Sequence, residues 1–532
     1  MDSDKLTLEL NAKDQFIDER PSAMAFNSTK MFDHLTETVL DKRTLEMLEI
    51  HELYKAINHT QTLVGAARLF HSLHSPSASL DVIQAKQESL KELDSNDKLR
   101  NAVEAYIGEF SNREPDLFKF LNAHYLPLYP YQPLKDAIDA THHMVDALKN
   151  IPQPETSYLD SLFKIIKNYA NTPESKLVRE PTYRTTQGLK IRSEKKFFSP
   201  SLRFRPGRLS GGSIAPSLPC LFAAGAGLAG LIEYAVAKSL VLLTGGGIIL
   251  GAVYAYLLKP IFDDETAILP IRQRLLDSNH FVSAIEAVAC IDELLSFHHY
   301  RKNTPHNTVI PILGDTERHF LVASNLKNPI IAKNDPNYIG NDINLDNFNL
   351  TFITGPNSGG KTTLCKTIAQ SQLLGQIGAP IVADSAKMNI ADKISYQAPA
   401  FDSLSDQEGR FGTELRRTKE IFFSATPKSL VILDEIAEGT SIHEKLPVST
   451  AILNGFYDKV TNTILVTHSY DLVESFKGIN RGQCLQVEFK NDEPTHRVIP
   501  GISWDSHAEL VVRKIGFSPA DIDRHLKENG YI

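Results

Sequence analysis

The chain has 532 residues, 42% hydrophobic and 23% charged. This is ordinary globular composition, and the length sets a prior of about three or four domains. A net charge of −8 excludes a uniformly basic nucleic-acid binder, though not a local basic patch. Cys220, Cys290, Cys365 and Cys484 show no metal-ligand spacing and read as reduced thiols in a cytosolic setting.

Residues 1–22 are polar and acidic, unlike a secretory signal or a transit peptide. Residues 23–183 are expected to form a helical domain: 32–40 and 83–93 carry apolar residues at helical spacing, while Pro127, Pro133, Pro152 and Pro154 mark loops. Residues 184–213 are basic, with Arg184, Lys190, Arg192, Lys195, Lys196, Arg203, Arg205 and Arg208 against the single acid Glu194. Two readings compete for this segment, a nucleic-acid arm and a juxtamembrane patch for anionic lipid.

Residues 214–232 and 239–258 are uncharged, and each is long enough to cross a bilayer. The short link between them predicts a transmembrane helical hairpin over 214–258, with glycines allowing close packing. The basic flank would keep both soluble parts in the cytoplasm. The alternative is a buried soluble hairpin. Residues 259–305 return to helix, clearest over 282–295, and 306–532 alternate strand and helix as in an α/β domain with a mostly parallel sheet.

That last region carries the chemistry. Gly355, Pro356, Asn357, Ser358, Gly359, Gly360, Lys361 and Thr362 fit G-x-x-x-x-G-K-[ST], between a predicted strand over 350–354 and a predicted helix over 362–374. Such a loop points backbone N–H groups at phosphates, with Thr363 following in the helix. Lys361 would reach the β- and γ-phosphates of ATP, and the Thr362 hydroxyl would bind Mg²⁺. A second apolar strand, 429–433, ends in Asp434 and Glu435. Asp434 suits the metal, and Glu435 suits the general base or water-positioning group. A third strand, 463–467, delivers His468 to the same sheet edge, where it could sense the γ-phosphate.

Together these residues resemble the MutS family of mismatch-repair ATPases. Residues 354–362 resemble its TGPNMGGKST loop, 376–383 its QIG-x-FVPA run, 433–441 its MDEIGRGTS segment, and Thr467-His468 its ATH. Residues 338–343 resemble its FVPNDI stretch, which implies that Tyr338 stacks on adenine. Residues 505–520 resemble its last helical segment, and 60–69 its T-x-T-x-x-G-x-R-x-L motif, with Arg68 one place late. The resemblance implies an α/β P-loop ATPase domain beside an all-α lever domain, here interrupted by the hairpin, and ATP-driven closure of a homodimer that binds DNA. Its Ser-Thr-Phe signature aligns with Gly409-Arg410-Phe411, so Arg410 is the candidate to act across the dimer interface. The chain is expected to lack the N-terminal mismatch-reading domain, so mismatch specificity would need a separate partner for lesion recognition. The hairpin takes the place of the family's DNA clamp. The alternative function is a membrane-tethered mechanochemical ATPase that does not bind DNA.

Overall fold

In a computed structural model of the chain the described residues are 39–122, 131–185, 188–194, 201–204, 259–356, 359–399, 409–437, 442–490, 493–503, 512 and 515–531. The helices and strands up to residue 303 are α1 (Lys42–Met47), α2 (Ile50–Ile57), α3 (Leu63–His74), α4 (Leu80–Ser95), α5 (Asp97–Asn122), α6 (Tyr131–Asp146), α7 (Ser157–Tyr169), α8 (Pro173–Arg179), β1 (Thr182–Thr185), β2 (Gly188–Lys190), β3 (Ser201–Phe204), α9 (Lys259–Asp263), α10 (Leu269–Leu276) and α11 (Asn279–Asn303). Beyond them come β4 (Thr308–Val309), β5 (Ile312–Gly314), β6 (Leu321–Leu326), α12 (Pro329–Ala332), β7 (Asn341–Asn344), β8 (Leu350–Thr354), α13 (Lys361–Gln376), β9 (Ile381–Val382), β10 (Ser385–Asn389), β11 (Ile394–Gln397), α14 (Gly409–Ser424), β12 (Leu430–Asp434), α15 (Ile442–Asp458), β13 (Asn462–Val466), α16 (Tyr470–Gly478), β14 (Gln483–Lys490), β15 (Glu493–Pro500) and α17 (Pro519–Glu528). The chain divides into two compact units: one holds Thr60–Arg68 and Glu92–Leu295, the other Leu35–His59, Leu69–Lys91 and Ser296–Ile532.

The first unit is mostly helical, and a dense hydrogen-bonded joint marks the start of α3. A helix begins with amides that have no partner inside the helix. Here Asp292 accepts from Gln61 N and Thr62 N (Oδ2 at 3.0 and 2.8 Å), and Glu114 from Leu63 N and Val64 N at 2.6 and 2.8 Å. The Thr62 hydroxyl donates to Asp292 at 2.6 Å and accepts from Gly65 N at 2.9 Å. Asp292 and Glu114 are buried. A Cβ on residue 65 would land on the Asp292 carboxylate, which accounts for glycine there. The spacing of Thr62, Gly65 and Arg68 thus has a local cause. Arg68 Nη1 meets Glu286 at 3.4 Å, and its Nε lies 4.0 Å from the fully buried Glu293.

One expectation for this region needs correction. The unit is not all helix: residues 182–204 hold an antiparallel sheet in the order β2-β1-β3. Within the basic segment, one arginine is engaged inside the unit. Arg184 is bound to Asp263 at 2.5 Å, with its guanidinium 5.3 Å from the Phe262 ring centre. Among the described residues no helix is long and apolar enough to cross a membrane. The predicted hairpin over 214–258 lies outside them, as do the polar segment 1–22 and Lys195, Lys196, Arg205 and Arg208.

The second unit is built on a six-stranded sheet in the order β11-β12-β13-β8-β14-β15, parallel except for the last pair. β8 and β13 are buried throughout, β12 up to Asp434. Strands covered on both faces must read as continuous apolar runs, which is why the sequence marks them so plainly. Phe352, Leu433, Leu465, Phe456, Val473 and Phe476 share one core cluster. The register sets Asp434 beside Val466 and Val466 beside Ile353, so the carboxyl ends of β12, β13 and β8 form one edge. A mixed four-stranded sheet, β5-β10-β6-β7, completes this unit together with the β4–β9 pair.

Residues 39–58 belong to this second unit. Leu40 makes a parallel bridge to Ile394. The predicted helix over 32–40 therefore does not include its last residue, whose extended backbone joins the sheet edge; 32–38 lie outside the described residues. Arg417 binds Asp41 at 2.5 Å, Tyr396 N donates to the Thr44 hydroxyl at 3.1 Å, and Lys366 meets Glu49 at 2.6 Å.

Candidate nucleotide site

The glycine loop leaves β8 and runs into α13. Gly359 N donates to Pro356 O at 3.1 Å, and Gly360, in the left-handed conformation, caps the helix. Val487 of β14 lies against the loop so closely that a Cβ on Gly359 would come within 2.9 Å of its side chain. Asn357 and Ser358 lie outside the described residues. Thr363 stands in the first turn, its carbonyl accepting from the Thr367 hydroxyl at 2.7 Å.

Lys361 is 2% exposed. Its ammonium donates to Gly355 O at 2.5 Å and approaches His468 Nε2 at 3.4 Å. Burial pushes the lysine below its ordinary range, against the pull of Asp434 and Glu435. A buried cation so placed favours an incoming anion. The Thr362 hydroxyl donates to Asp434 Oδ2 at 3.0 Å. Burial pushes the Asp434 carboxyl up, and the Thr362 hydrogen bond and the Lys361 charge pull it back. A carboxylate and a hydroxyl brought together at a phosphate loop are the hard oxygen donors that suit Mg²⁺.

Glu435 follows β12 in the left-handed region at φ 66°, and Ala437 does so at φ 58°. Side chains rarely adopt this conformation, and such strain collects at functional sites. The turn folds the acid back onto the next strand. Glu435 N donates to Val466 O at 2.9 Å, Glu435 Oε1 accepts from His468 N at 2.8 Å, and Oε2 accepts from the Thr467 hydroxyl at 3.0 Å. Oε2 also faces Lys445 Nζ of α15 at 3.4 Å.

The structure therefore brings Lys361, Thr362, Asp434, Glu435 and His468 to one sheet edge. Tyr338 stands apart from them, in the turn before β7. It is half-buried, and burial raises its ionisation above the ordinary tyrosine range, against the pull of the nearby Thr367 side chain of α13 and the Asn328 backbone. Arg410 is the second residue of α14, and its side chain lies outside the described residues.

Three side chains escaped the sequence reading: Lys445, Val487 and His496. Lys445 lies ten residues past Glu435 and returns only because α15 begins at the same edge. Val487 and His496 come from the β14–β15 hairpin, where the His496 ring stands 3.6 Å from the Cβ position of Gly360. Asn341 links that hairpin to the Tyr338 turn, donating to His496 O at 3.1 Å and accepting from Val498 N at 2.7 Å. The only signal for His496 was a lone histidine in a strand, which by itself says nothing.

Comparison with known proteins agrees with this arrangement. The sequence profile of MutS domain V matches residues 351–524, and that of MutS domain III matches 35–297. The chain is 34% identical over 209 residues to the DNA mismatch repair protein MutS of Fusobacterium nucleatum, covering 38% of this chain and 23% of the relative. It is 30% identical over 249 residues to that of Caldanaerobacter subterraneus, covering 45% and 28%. The chain thus spans about a quarter of the length of the curated relatives it matches. With both domain profiles matched, and with the loop, the paired acids and the histidine gathered at one sheet edge, the chain belongs to the MutS family and carries its domains III and V.

Proposed function

We propose that the chain is a MutS-like ATPase that hydrolyses ATP with Mg²⁺, closes as a homodimer on ATP, and binds DNA. The observation that supports it most is the Thr362–Asp434 hydrogen bond beside the buried Lys361, with Glu435 one residue on. Gly355, Pro356, Asn357, Ser358, Gly359, Gly360 and Thr363 would cradle the phosphates. Thr362 and Asp434 would hold the metal, which when bound supplies charge neutralisation at the phosphate oxygens. Tyr338 would stack on adenine. Lys361 would stabilise charge on the β- and γ-phosphates, and Glu435 would orient the attacking water and take its proton. His468, with its amide on Glu435 and its Nε2 near Lys361, would couple base to phosphate.

DNA is the proposed partner because the relatives are named as DNA mismatch repair proteins. Residues 214–258 would anchor the chain in a membrane, with both soluble parts in the cytoplasm. The deciding experiment is Glu435→Gln, which keeps the shape and removes the base. It should bind ATP as before and lose turnover by about 10²-fold or more. Unchanged turnover sinks the assignment. DNA binding across a salt series should show the steep slope of counterion release. A flat slope, or no binding, would favour the membrane-tethered ATPase that does not touch DNA.

A further inference from the structure

Glu435 carries a partner that general-base chemistry does not require. Its Oε2 already accepts the Thr467 hydroxyl, and the Lys445 ammonium stands 3.4 Å away. Both side chains of this ion pair are largely buried, 10% exposed for Glu435 and 15% for Lys445. A buried pair costs desolvation on both sides, and replacing it by apolar groups is often neutral or stabilising, so the fold alone gives weak reason for it. Further along α15, Ser449, Leu453 and Phe456 are fully buried.

Position gives the reason. Lys445 is in the first turn of α15, and Glu435 lies at the end of β12, beside the phosphate-loop lysine. Two partly buried acids, Asp434 and Glu435, thus face two ammonium groups, Lys361 and Lys445. Lys361 is committed to the loop carbonyl of Gly355 and to His468. Lys445 is bound to the group that must be released for water to be activated. A terminal phosphate carries more negative charge than one carboxylate and offers three oxygens, so it would compete for the same ammonium.

Resting on the reading of this site as an ATP site, we propose that Lys445 is the residue that distinguishes ATP from ADP. With ADP or no nucleotide it stays on Glu435. With ATP its flexible stem carries the ammonium to the γ-phosphate, which frees Glu435 Oε2 towards water. Only ATP has the group that draws Lys445 away, so base release is tied to the presence of substrate.

The test measures binding, not turnover. The full chain, Lys445→Met and Lys445→Arg are titrated with a non-hydrolysable ATP analogue and with ADP, each with Mg²⁺, and their thermal midpoints are compared to confirm folding. Lys445→Met should weaken the analogue about tenfold or more and ADP less than twofold. Lys445→Arg should keep the native ratio. An unchanged analogue-to-ADP ratio in Lys445→Met, or equal loss of both nucleotides, overturns the proposal and leaves the ATP reading intact. Should Lys445→Met fail to fold, a Lys445→Arg ratio equal to the native one supports it and an unchanged ratio in folded Lys445→Gln overturns it. A native chain that binds neither nucleotide overturns both.

Discussion

At the scale of single residues, the loop glycines separate into two kinds. A Cβ on Gly359 meets the Val487 methyls at 2.9 and 3.0 Å, so the obstacle is a neighbour's side chain. Gly355 also has Val487 at 3.2 Å from its Cβ position, but it sits at φ +131°, where its own backbone is a further obstacle. Gly359→Ala should weaken nucleotide binding by about tenfold, from roughly 1–2 kcal/mol of overpacking, and Val487→Ala in the same chain should restore most of it. Gly355→Ala should not be rescued by Val487→Ala, because no side chain can relieve a left-handed φ. Titrating the two pairs with ADP checks this; equal rescue of both would refute the distinction. Tyr338→Ala should raise the apparent ATP constant severalfold with less effect on turnover, since the proposed role of its ring is to stack on the base and not to touch the reacting phosphate. An unchanged constant would remove Tyr338 from the site.

At the scale of elements, the start of α3 is the most demanding joint of the first unit. Asp292 is buried, and desolvation raises its carboxyl to about 6, against hydrogen bonds from Thr62 and Gln61 that lower it. An acid with a raised folded pKa favours folding below its unfolded value of 3.8, and that contribution is lost as pH climbs through about 6. Asp292→Asn is neutral throughout. Its stability relative to the native chain should therefore improve between pH 4 and pH 7, by on the order of 2–3 kcal/mol. Urea unfolding at the two pH values measures this, and a pH-independent difference would mean that Asp292 stays ionised in the folded chain. Legibility also divides by element. β8, β12, β13 and α13 could be read because strands buried on both faces and a phosphate loop leave continuous signals. The sheet β1–β3 could not: its strands are only three or four residues long, too short for an alternation to develop. Lys445 and His496 were invisible for another reason, since their meaning comes from which elements return to the loop and not from local spacing.

At the scale of the whole molecule, the proposals concern attachment and assembly. If residues 214–258 anchor the chain, the full protein should remain with membranes after a carbonate wash, while a chain starting near His306 should be released; recovery of the full protein in the soluble fraction would favour a buried hairpin. Assembly turns on Arg410. It stands at the start of α14, where the family signature carries a hydroxyl in place of Gly409. A P-loop site completed by its neighbour needs charge where the transition state develops it. A guanidinium has fixed charge and planar donors suited to phosphate oxygens. The competing reading is a solvated loop residue, and a mixing experiment separates the two. Arg410→Ala and Lys361→Ala chains should each be inactive alone. In a two-fold dimer with sites shared between subunits, each mixed dimer holds one site with both residues intact. Equal mixing should then recover up to about a quarter of native turnover, since half the dimers are mixed and one of their two sites is complete. If both variants still dimerise and mixing restores nothing, Arg410 does not act in trans, and ATP-driven closure of the dimer must draw its cross-subunit group from another residue.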